Sequence, residues 1–340
     1  MPRRRGRRSP LFWFALSAAL CGVALEYAVF FGPASDRGKK VEVVIPRGAT
    51  IASVAGRLQR RRAIRSAAAF RLLARLKGDP AIPAGAYLVS PRQTPAAILQ
   101  QLTEGTGERM VRVTFPEGFT LEQMAERVSS VPGVRAEDFQ PLAAERGRSF
   151  TASFRPPDNL EGFLFPDTYD FRPDMPARDV VQAMLENFDQ KVAGPLAPDF
   201  RSRQAAGYSL MQVVTIASLI EREAKVPGDR DIIAGVIYNR LERGIPLQID
   251  ATVQYVIGHR ERLLYRDLKV DSPYNTYQHP GLPPGPICNP GLPAIRAALH
   301  PRSVPYLYYT ANPDGAHTFT TTLEAHNRAT AAARAGRRRR

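Results

Sequence analysis

One stretch constrains this fold more than any other: Leu210-Met-Gln-Val-Val-Thr-Ile-Ala-Ser-Leu-Ile-Glu-Arg-Glu-Ala224. Ser209 with Gln212 three residues on reads as a helix N-cap and capping box, and Lys225-Val-Pro227 ends the run. Apolar residues occupy nearly every direction around this predicted helix, and a helix that is apolar on all sides belongs inside a domain. A body must therefore be wrapped around residues 210–224. The last turn carries two carboxylates, Glu221 and Glu223. A carboxyl held among apolar groups loses hydration, so its pKa rises and it can hold a proton near neutral pH. A protonated acid is what a glycosidic oxygen needs in order to leave.

Helical geometry alone does not choose between the two acids. At about 100° per residue from Leu210, Glu221 falls at about 20°, in the stripe of Val214 and Ala217, and Glu223 at about 220°, near Ile216 and Leu219. An ion pair at the helix end with Arg222, Arg230 or Lys225 would give the same pattern.

The chain of 340 residues has room for two or three compact units. Its formal charge of +15 is concentrated in two tails, Arg3, Arg4, Arg5, Arg7 and Arg8 at one end and Arg334 with Arg337 to Arg340 at the other. Without these ten charges residues 9–333 carry +5, a body too mildly basic to offer a nucleic-acid track. Behind the first cluster (residues 1–10) runs Leu11–Phe31, 21 residues with one charged member, Glu26. At about 1.5 Å per residue such a helix crosses a hydrocarbon core of about 30 Å. The positive-inside rule keeps the arginines in the cytoplasm and sends the rest of the chain outside. A cleaved signal peptide would have a shorter apolar core and a small-residue cleavage site. The two cysteines, Cys21 and Cys288, are too far apart in kind of segment to suggest a disulfide.

A linker (32–40) leads to an internal repeat. Val43-Val-Ile-Pro46-Arg-Gly48-Ala-Thr50-Ile51 returns 70 residues later as Val113-Thr-Phe-Pro116-Glu-Gly118-Phe-Thr120-Leu121. Each copy reads as a strand, a Pro-x-Gly turn and a Thr-capped helix, with Gln123 completing a capping box in the second. Between them a helix from Ser66 to Leu76, a strand at Tyr87–Val89 and a helix from Thr94 give residues 41–108 a strand, helix, helix, strand order that resembles a LysM module. A spacer without a ligand would read the same way. The remaining domain is expected over residues 109–333, with 109–158 as its repeat-like first part, before a basic tail at 334–340. Within it a helix is expected at Asp231–Glu242, a long loop from Pro246 to Pro293, and a hairpin of Tyr306–Thr310 and His317–Thr320 about the turn Asn312–Gly315. A closing helix follows over 323–333. The fold class is α+β.

Several groups suit a neutral, hydroxyl-rich ligand. Glu161 and Asp167 are interleaved with aromatics in Leu160–Tyr169, Gln248 and Asp250 follow the tight Gly244-Ile-Pro246, and Tyr274-Asn275-Thr276-Tyr277 presents four polar tips in a row. His259, His279, His300, His317 and His326 show no ligand spacing, so neither a metal nor another cofactor is expected. No nucleophile elbow, phosphate loop or dinucleotide fingerprint is present.

The segments Leu160-Glu-Gly-Phe-Leu-Phe-Pro-Asp-Thr-Tyr169, Ala217-Ser-Leu-Ile-Glu-Arg-Glu223, Tyr238-Asn-Arg-Leu241, Pro246-Leu-Gln-Ile-Asp250, Ser272-Pro-Tyr-Asn-Thr-Tyr277, Gly281-Leu-Pro-Pro-Gly-Pro-Ile287 and His317-Thr-Phe319 together resemble the successive motifs of the YceG-like (MltG) family, membrane-anchored endolytic murein transglycosylases. The resemblance runs from the anchor to about residue 330. It implies a mixed α/β catalytic domain that cuts the β-1,4 bond between N-acetylmuramic acid and N-acetylglucosamine inside peptidoglycan strands, leaving 1,6-anhydro ends. It also implies the bacterial cell membrane, with the catalytic domain outside, and work beside peptidoglycan synthases. The first acid of the motif, Glu221, is the catalytic group so implied, with Gln248, Tyr274, Asn275, Tyr277, Glu161 and Glu223 expected around the strand. Ile249, Ala251 and Cys288 depart from the residues usual at those positions. A noncatalytic, membrane-anchored glycan-binding scaffold is the alternative; it would bind strands without making new ends.

Overall fold

A computed structural model describes residues 32–35, 38–46, 48–105, 110–260 and 263–338. The expected cytoplasmic arm and membrane helix lie outside these residues. Among the described residues no helix is long and apolar enough to cross a membrane. The described residues form two compact units, one of those up to residue 112 with 170–173, the other of those from 113–169 with 174–338.

The first unit runs β1 (Val41–Ile45), α1 (Ile51–Arg60), α2 (Ala67–Leu76), β2 (Gly85–Val89) and α3 (Pro95–Thr103). β1 and β2 pair antiparallel, Val41 opposite Val89 and Ile45 opposite Gly85. Alternation along β1 buries Val43 and Ile45 and leaves Glu42 and Val44 outward. Beneath the hairpin, Val54 and Leu58 of α1, Phe70 of α2 and Leu99 and Leu102 of α3 close an apolar core around Tyr87. This is the strand, helix, helix, strand order expected over 41–108, with Thr50, Ser66 and Thr94 each capping the helix it precedes.

β3 (Val111–Thr114) pairs with β4 (Thr168–Phe171). The repeat noted in the sequence holds at the level of the backbone. Gly48 and Gly118 both adopt positive φ, +73° and +80°, at the Pro-x-Gly turn. Thr50 and Thr120 each accept the N–H three residues on, and the second copy closes its capping box through Gln123.

The second unit continues with α4 (Leu121–Val128), α5 (Ala136–Glu145), α6 (Ala177–Phe188), α7 (Ala197–Ala205), α8 (Leu210–Glu223), α9 (Arg230–Glu242), α10 (Asp250–Ile257), α11 (Leu292–Leu299), the hairpin β5 (Tyr308–Ala311) and β6 (His317–Thr320), and α12 (Leu323–Arg338). α8 is the central helix. Every residue from Val213 to Ile220 is buried, and α7, α9, α10 and α11 pack around it. Removing Ile216, Leu219 or Ile220 from water contributes about 2 kcal/mol each, so the ring of helices is held mainly by this strand of apolar side chains. Ser209 caps α8 and Gln212 completes the box. Ser218, buried in the middle of the helix, donates to Thr215 O and accepts the Ile287 N–H, which pins residues 287–288 along α8.

The long loop expected from Pro246 to Pro293 is not wholly irregular. It contains α10, and α11 begins at Leu292. The hairpin is observed, with Tyr308 opposite Thr320 and Ala311 opposite His317.

Candidate active site

Two residues of the last turn of α8 part company. Glu221 and Glu223 are about 200° apart around the helix, so their carboxylates meet different neighbours. Glu223 lines a cleft of about 550 Å³ whose walls come from α9, the 247–250 segment, the loop at Tyr277, β5, β6 and α12. Glu221 is not among the residues that line it.

In the cleft, Glu223 accepts a hydrogen bond from the Tyr309 hydroxyl and stands beside Asp250 at the start of α10. Burial pushes the Glu223 carboxyl up to about 7, and the negative charge of Asp250 adds to the rise. Tyr309, Arg222 and Lys225 oppose it. The Tyr277 hydroxyl donates to Asp250 Oδ1 at 2.5 Å. A carboxyl that titrates near neutral pH at the wall of a polar cleft is suited to giving up a proton and taking one back.

Arg240 fixes this wall from below. It is only 7% exposed, so its charge needs partners. Its guanidinium donates to the Pro246 carbonyl from Nε (3.0 Å) and Nη2 (2.7 Å), to Gln248 Oε1 (2.9 Å) and to the Leu307 carbonyl (3.2 Å). The segment it grips contains a non-glycine residue in the left-handed region, Gln248 at φ +55°. Such backbone strain costs on the order of 1–3 kcal/mol and persists where the surroundings impose it. On the opposite wall, His317 Nδ1 lies 2.9 Å from Asp229 Oδ2, which also accepts the His317 N–H at 2.8 Å.

Glu221 belongs to a second group of acids. Its Oε2 accepts the Gly291 N–H at 3.0 Å. Burial raises its pKa, and the nearby Glu117 raises it further, against the Gly291 N–H, Arg230 and Arg222. Glu161 is deeper, 3% exposed. It takes the Leu121 N–H at the start of α4 (3.0 Å to each oxygen), Asn289 Nδ2 (3.0 Å) and the Tyr255 hydroxyl (3.2 Å). Burial pushes it up to about 7 against these donors. Asn289, fully buried, is the hub of the group. Its Oδ1 accepts the N–H of Gly162 (2.9 Å) and of Leu164 (3.0 Å), and its Nδ2 also reaches Phe119 O at 3.1 Å.

Of the residues expected around a strand, Glu223, Gln248 and Tyr277 come together in the cleft. Asn275 lies outside the cleft lining. It is fully buried, with both amide hydrogens on the Leu268 and Val270 carbonyls and its oxygen on the Tyr277 N–H. Its polar atoms brace the loop and leave nothing for a ligand. Glu161 is likewise a buried strut between α4, Tyr255 and Asn289 rather than a group facing the cleft. Tyr274 lies against Tyr255, ring centroids 5.0 Å apart, outside the cleft lining. The sequence pattern had not singled out Arg240, Tyr309 or Asn289. For Arg240 the available signal was its place in the segment Tyr238-Asn-Arg-Leu241, beside the apolar run Ile232–Ile237 of α9. Among the described residues no three His, Cys, Asp or Glu side chains are grouped to hold a metal ion.

The sequence matches the YceG-like family over residues 43–332. An endolytic murein transglycosylase of Bacillus subtilis strain 168 is 36% identical over 312 residues, covering 86% of this chain and 85% of that protein. Another, from Streptococcus pneumoniae serotype 2, is 28% identical over 321 residues, 85% of this chain and 58% of that protein. The crystal structure of a yceG-like protein from Listeria monocytogenes is similar with a TM-score of 0.58 and 34% sequence identity, covering 86% of this chain and all of that one.

Proposed function

The chain belongs to the YceG-like family, and from that membership together with the acid-lined cleft we propose that it is an endolytic peptidoglycan transglycosylase with Glu223 as its general acid and then its base. The observation that carries the assignment of the acid is the cleft itself. Of the two carboxylates in the last turn of α8, Glu223 lines it, with a pKa near neutrality and Asp250 beside it. The sequence resemblance favours Glu221; the cleft geometry favours its neighbour two residues on.

In this reading the strand lies along the cleft with the bond between N-acetylmuramic acid and N-acetylglucosamine at Glu223. The acid protonates the bridging oxygen, the C1–O bond breaks, and positive charge develops at C1 of the muramic acid ring. That sugar's own 6-hydroxyl attacks C1 and loses its proton to the Glu223 carboxylate, which resets the acid and leaves a 1,6-anhydro ring. No water enters, so one carboxyl serves both steps, whereas a hydrolase uses two. Asp250 keeps the proton on Glu223 and offers a negative charge to the developing cation. Gln248, held by Arg240, and Tyr277, held by Asp250, supply amide and hydroxyl contacts to the sugars.

The adjacency of Asp250 and Glu223 favours a second reading, hydrolysis with Asp250 activating water. Mass analysis of the fragments released from peptidoglycan separates the two, because an anhydro end is lighter by one water than a hydrolysed one. Anhydro ends are expected. Hydrolysed ends would move the protein to the other class, and strand binding without any new ends would make it a scaffold. The reading carries with it the anchor over residues 11–31, which holds the catalytic unit outside the membrane beside newly made strands and the synthases that make them.

A further inference from the structure

The modest charge of +5 over residues 9–333 divides unevenly. Residues 32–105, which include the elements of the first unit, hold thirteen Lys and Arg against four Asp and Glu, a net +9, whereas residues 106–333 carry −3. One of the four acids, Glu42, is already matched by Arg172 at 3.6 Å. α2 sets part of this charge beside exposed apolar groups. At about 100° per residue, Arg71, Leu72, Arg75 and Leu76 fall within one arc of about 140°, and the opposite side buries Ala69, Phe70 and Ala74. Leu72 is 50% exposed and Leu76 75%. Gln59 ties the start of α2 to α1, accepting the Ala67 N–H at 3.2 Å and donating to the Arg65 carbonyl at 3.4 Å. The exposed arginines at 60–62 therefore stand at the head of α2.

Apolar residues scattered over a surface are ordinary, but two leucines on successive turns of one helix, flanked by arginines, form a patch with a definite chemistry. It suits an apolar layer with an anionic surface, where the arginine stems lie along the leucines and their guanidinium heads reach phosphate oxygens. A sugar-binding face would present aromatic, amide and hydroxyl groups instead. The tether is also short. The Ser35 N–H donates to the Pro91 carbonyl at 3.0 Å, so only residues 32–34 separate Phe31, the end of the expected anchor, from a point fixed on the first unit. At full extension these residues reach about 14 Å. That is similar to the Debye length of about 10 Å, within which an anionic surface attracts basic groups. Tethering makes the contact intramolecular, so even a weak surface attraction suffices to hold it.

We propose that the outer face of α2 docks on an anionic phospholipid bilayer, with Leu72 and Leu76 entering the headgroup boundary and Arg71 and Arg75 binding lipid phosphates. The first unit then lies on the membrane from which the anchor emerges. The inference rests on the anchored reading above for its tether and goes beyond it by giving the first unit a lipid ligand.

The full chain reconstituted in phosphatidylcholine vesicles, with or without phosphatidylglycerol, tests it through a single indole. Trp13→Phe removes the chain's one tryptophan and Leu76→Trp supplies the probe. With phosphatidylglycerol present, the emission should shift to the blue and be largely quenched by lipids brominated in their acyl chains. In phosphatidylcholine alone both effects should be lost. Adding Arg71→Glu and Arg75→Glu should abolish them in the phosphatidylglycerol vesicles, with the melting temperature unchanged. Leu72→Trp, one turn earlier on the same face, should behave as Leu76→Trp does. An emission indifferent to both headgroup and bromination overturns the docking face. A blue shift without quenching by brominated lipid overturns it too, because a protein surface such as a second copy then covers the helix. Flotation keeps this reading apart from the anchor. A chain that floats with both kinds of vesicle while its indole stays in water retains the anchor and loses the docking face, and a chain that floats with neither loses both. A chain that floats only with phosphatidylglycerol vesicles, its indole quenched, retains the docking face and loses the anchor.

Discussion

The Tyr277 hydroxyl is bonded to Asp250 Oδ1 at 2.5 Å, which fixes this carboxylate next to Glu223, and its charge helps burial to raise the Glu223 pKa to about 7. Taking the charge away by Asp250→Asn leaves burial as the main cause of the rise. Glu223 then ionises at lower pH, and the protonated acid that starts the reaction is lost earlier as pH increases. The alkaline limb of the kcat/KM profile should move down by roughly one pH unit. A limb that stays where it was would show that Asp250 does not govern the acid.

Glutamine substitution separates the two carboxylates of α8. Glu223→Gln removes the transferable proton from the cleft, and turnover should fall about 10³-fold. Glu221→Gln keeps an oxygen for the Gly291 N–H and relieves the repulsion from Glu117, so turnover should stay within about tenfold of the parent. Release of anhydro fragments, timed for each variant, is the measurement. The reverse pattern would return the acid's role to Glu221.

α8 was legible in the sequence because a capped helix, apolar on every face, admits one location, the centre of a domain. The capping boxes and the repeated Pro-x-Gly turn were legible because each depends on residues within a few positions of one another. The choice between Glu221 and Glu223 was not, because the residues that make the cleft lie far along the chain, at Asp250, Tyr277 and Tyr309. The buried setting of Asn275 was not legible for a related reason. A loop that runs inward must satisfy its own carbonyls and N–H groups, and the amide that does this has the same composition as one facing a ligand. α10 was hidden by its length of two turns among prolines and glycines.

Asn289 ties its own segment to two others, residues 161–164 and Phe119, through four side-chain bonds, three of them buried. Asn289→Leu preserves much of the volume but leaves the N–H groups of Gly162 and Leu164 without the Asn289 oxygen, while the Phe119 carbonyl keeps the backbone N–H of residue 289 and Glu161 Oε1 keeps the Leu121 N–H. At about 1–3 kcal/mol for each of the two N–H groups stranded away from water, the variant should lose about 2–6 kcal/mol of stability. Urea unfolding followed by circular dichroism would measure it. A loss below about 1 kcal/mol would mean that water or local rearrangement supplies the missing partners.

Glu161 makes stability depend on pH in a direction opposite to that of an exposed carboxylate. Folding raises its pKa from the ordinary 4.5 to about 7, so the folded chain holds the proton more tightly than the unfolded one. The stabilisation is complete below pH 4.5 and is lost as pH rises through 7, amounting to about 3 kcal/mol over that window. Glutamine reproduces the protonated form: one oxygen for the Leu121 N–H, and an amide that the Tyr255 hydroxyl can accept. The Glu161→Gln variant should therefore match the parent near pH 5 and exceed it at pH 8, with a flatter urea midpoint against pH. Glu223 contributes a slope of the same sign that both proteins share, so the difference between them isolates Glu161. If instead the variant were weaker than the parent at both pH values by the same amount, the carboxylate would be acting only through its hydrogen bonds, and the proton would have no part in holding α4 to Asn289.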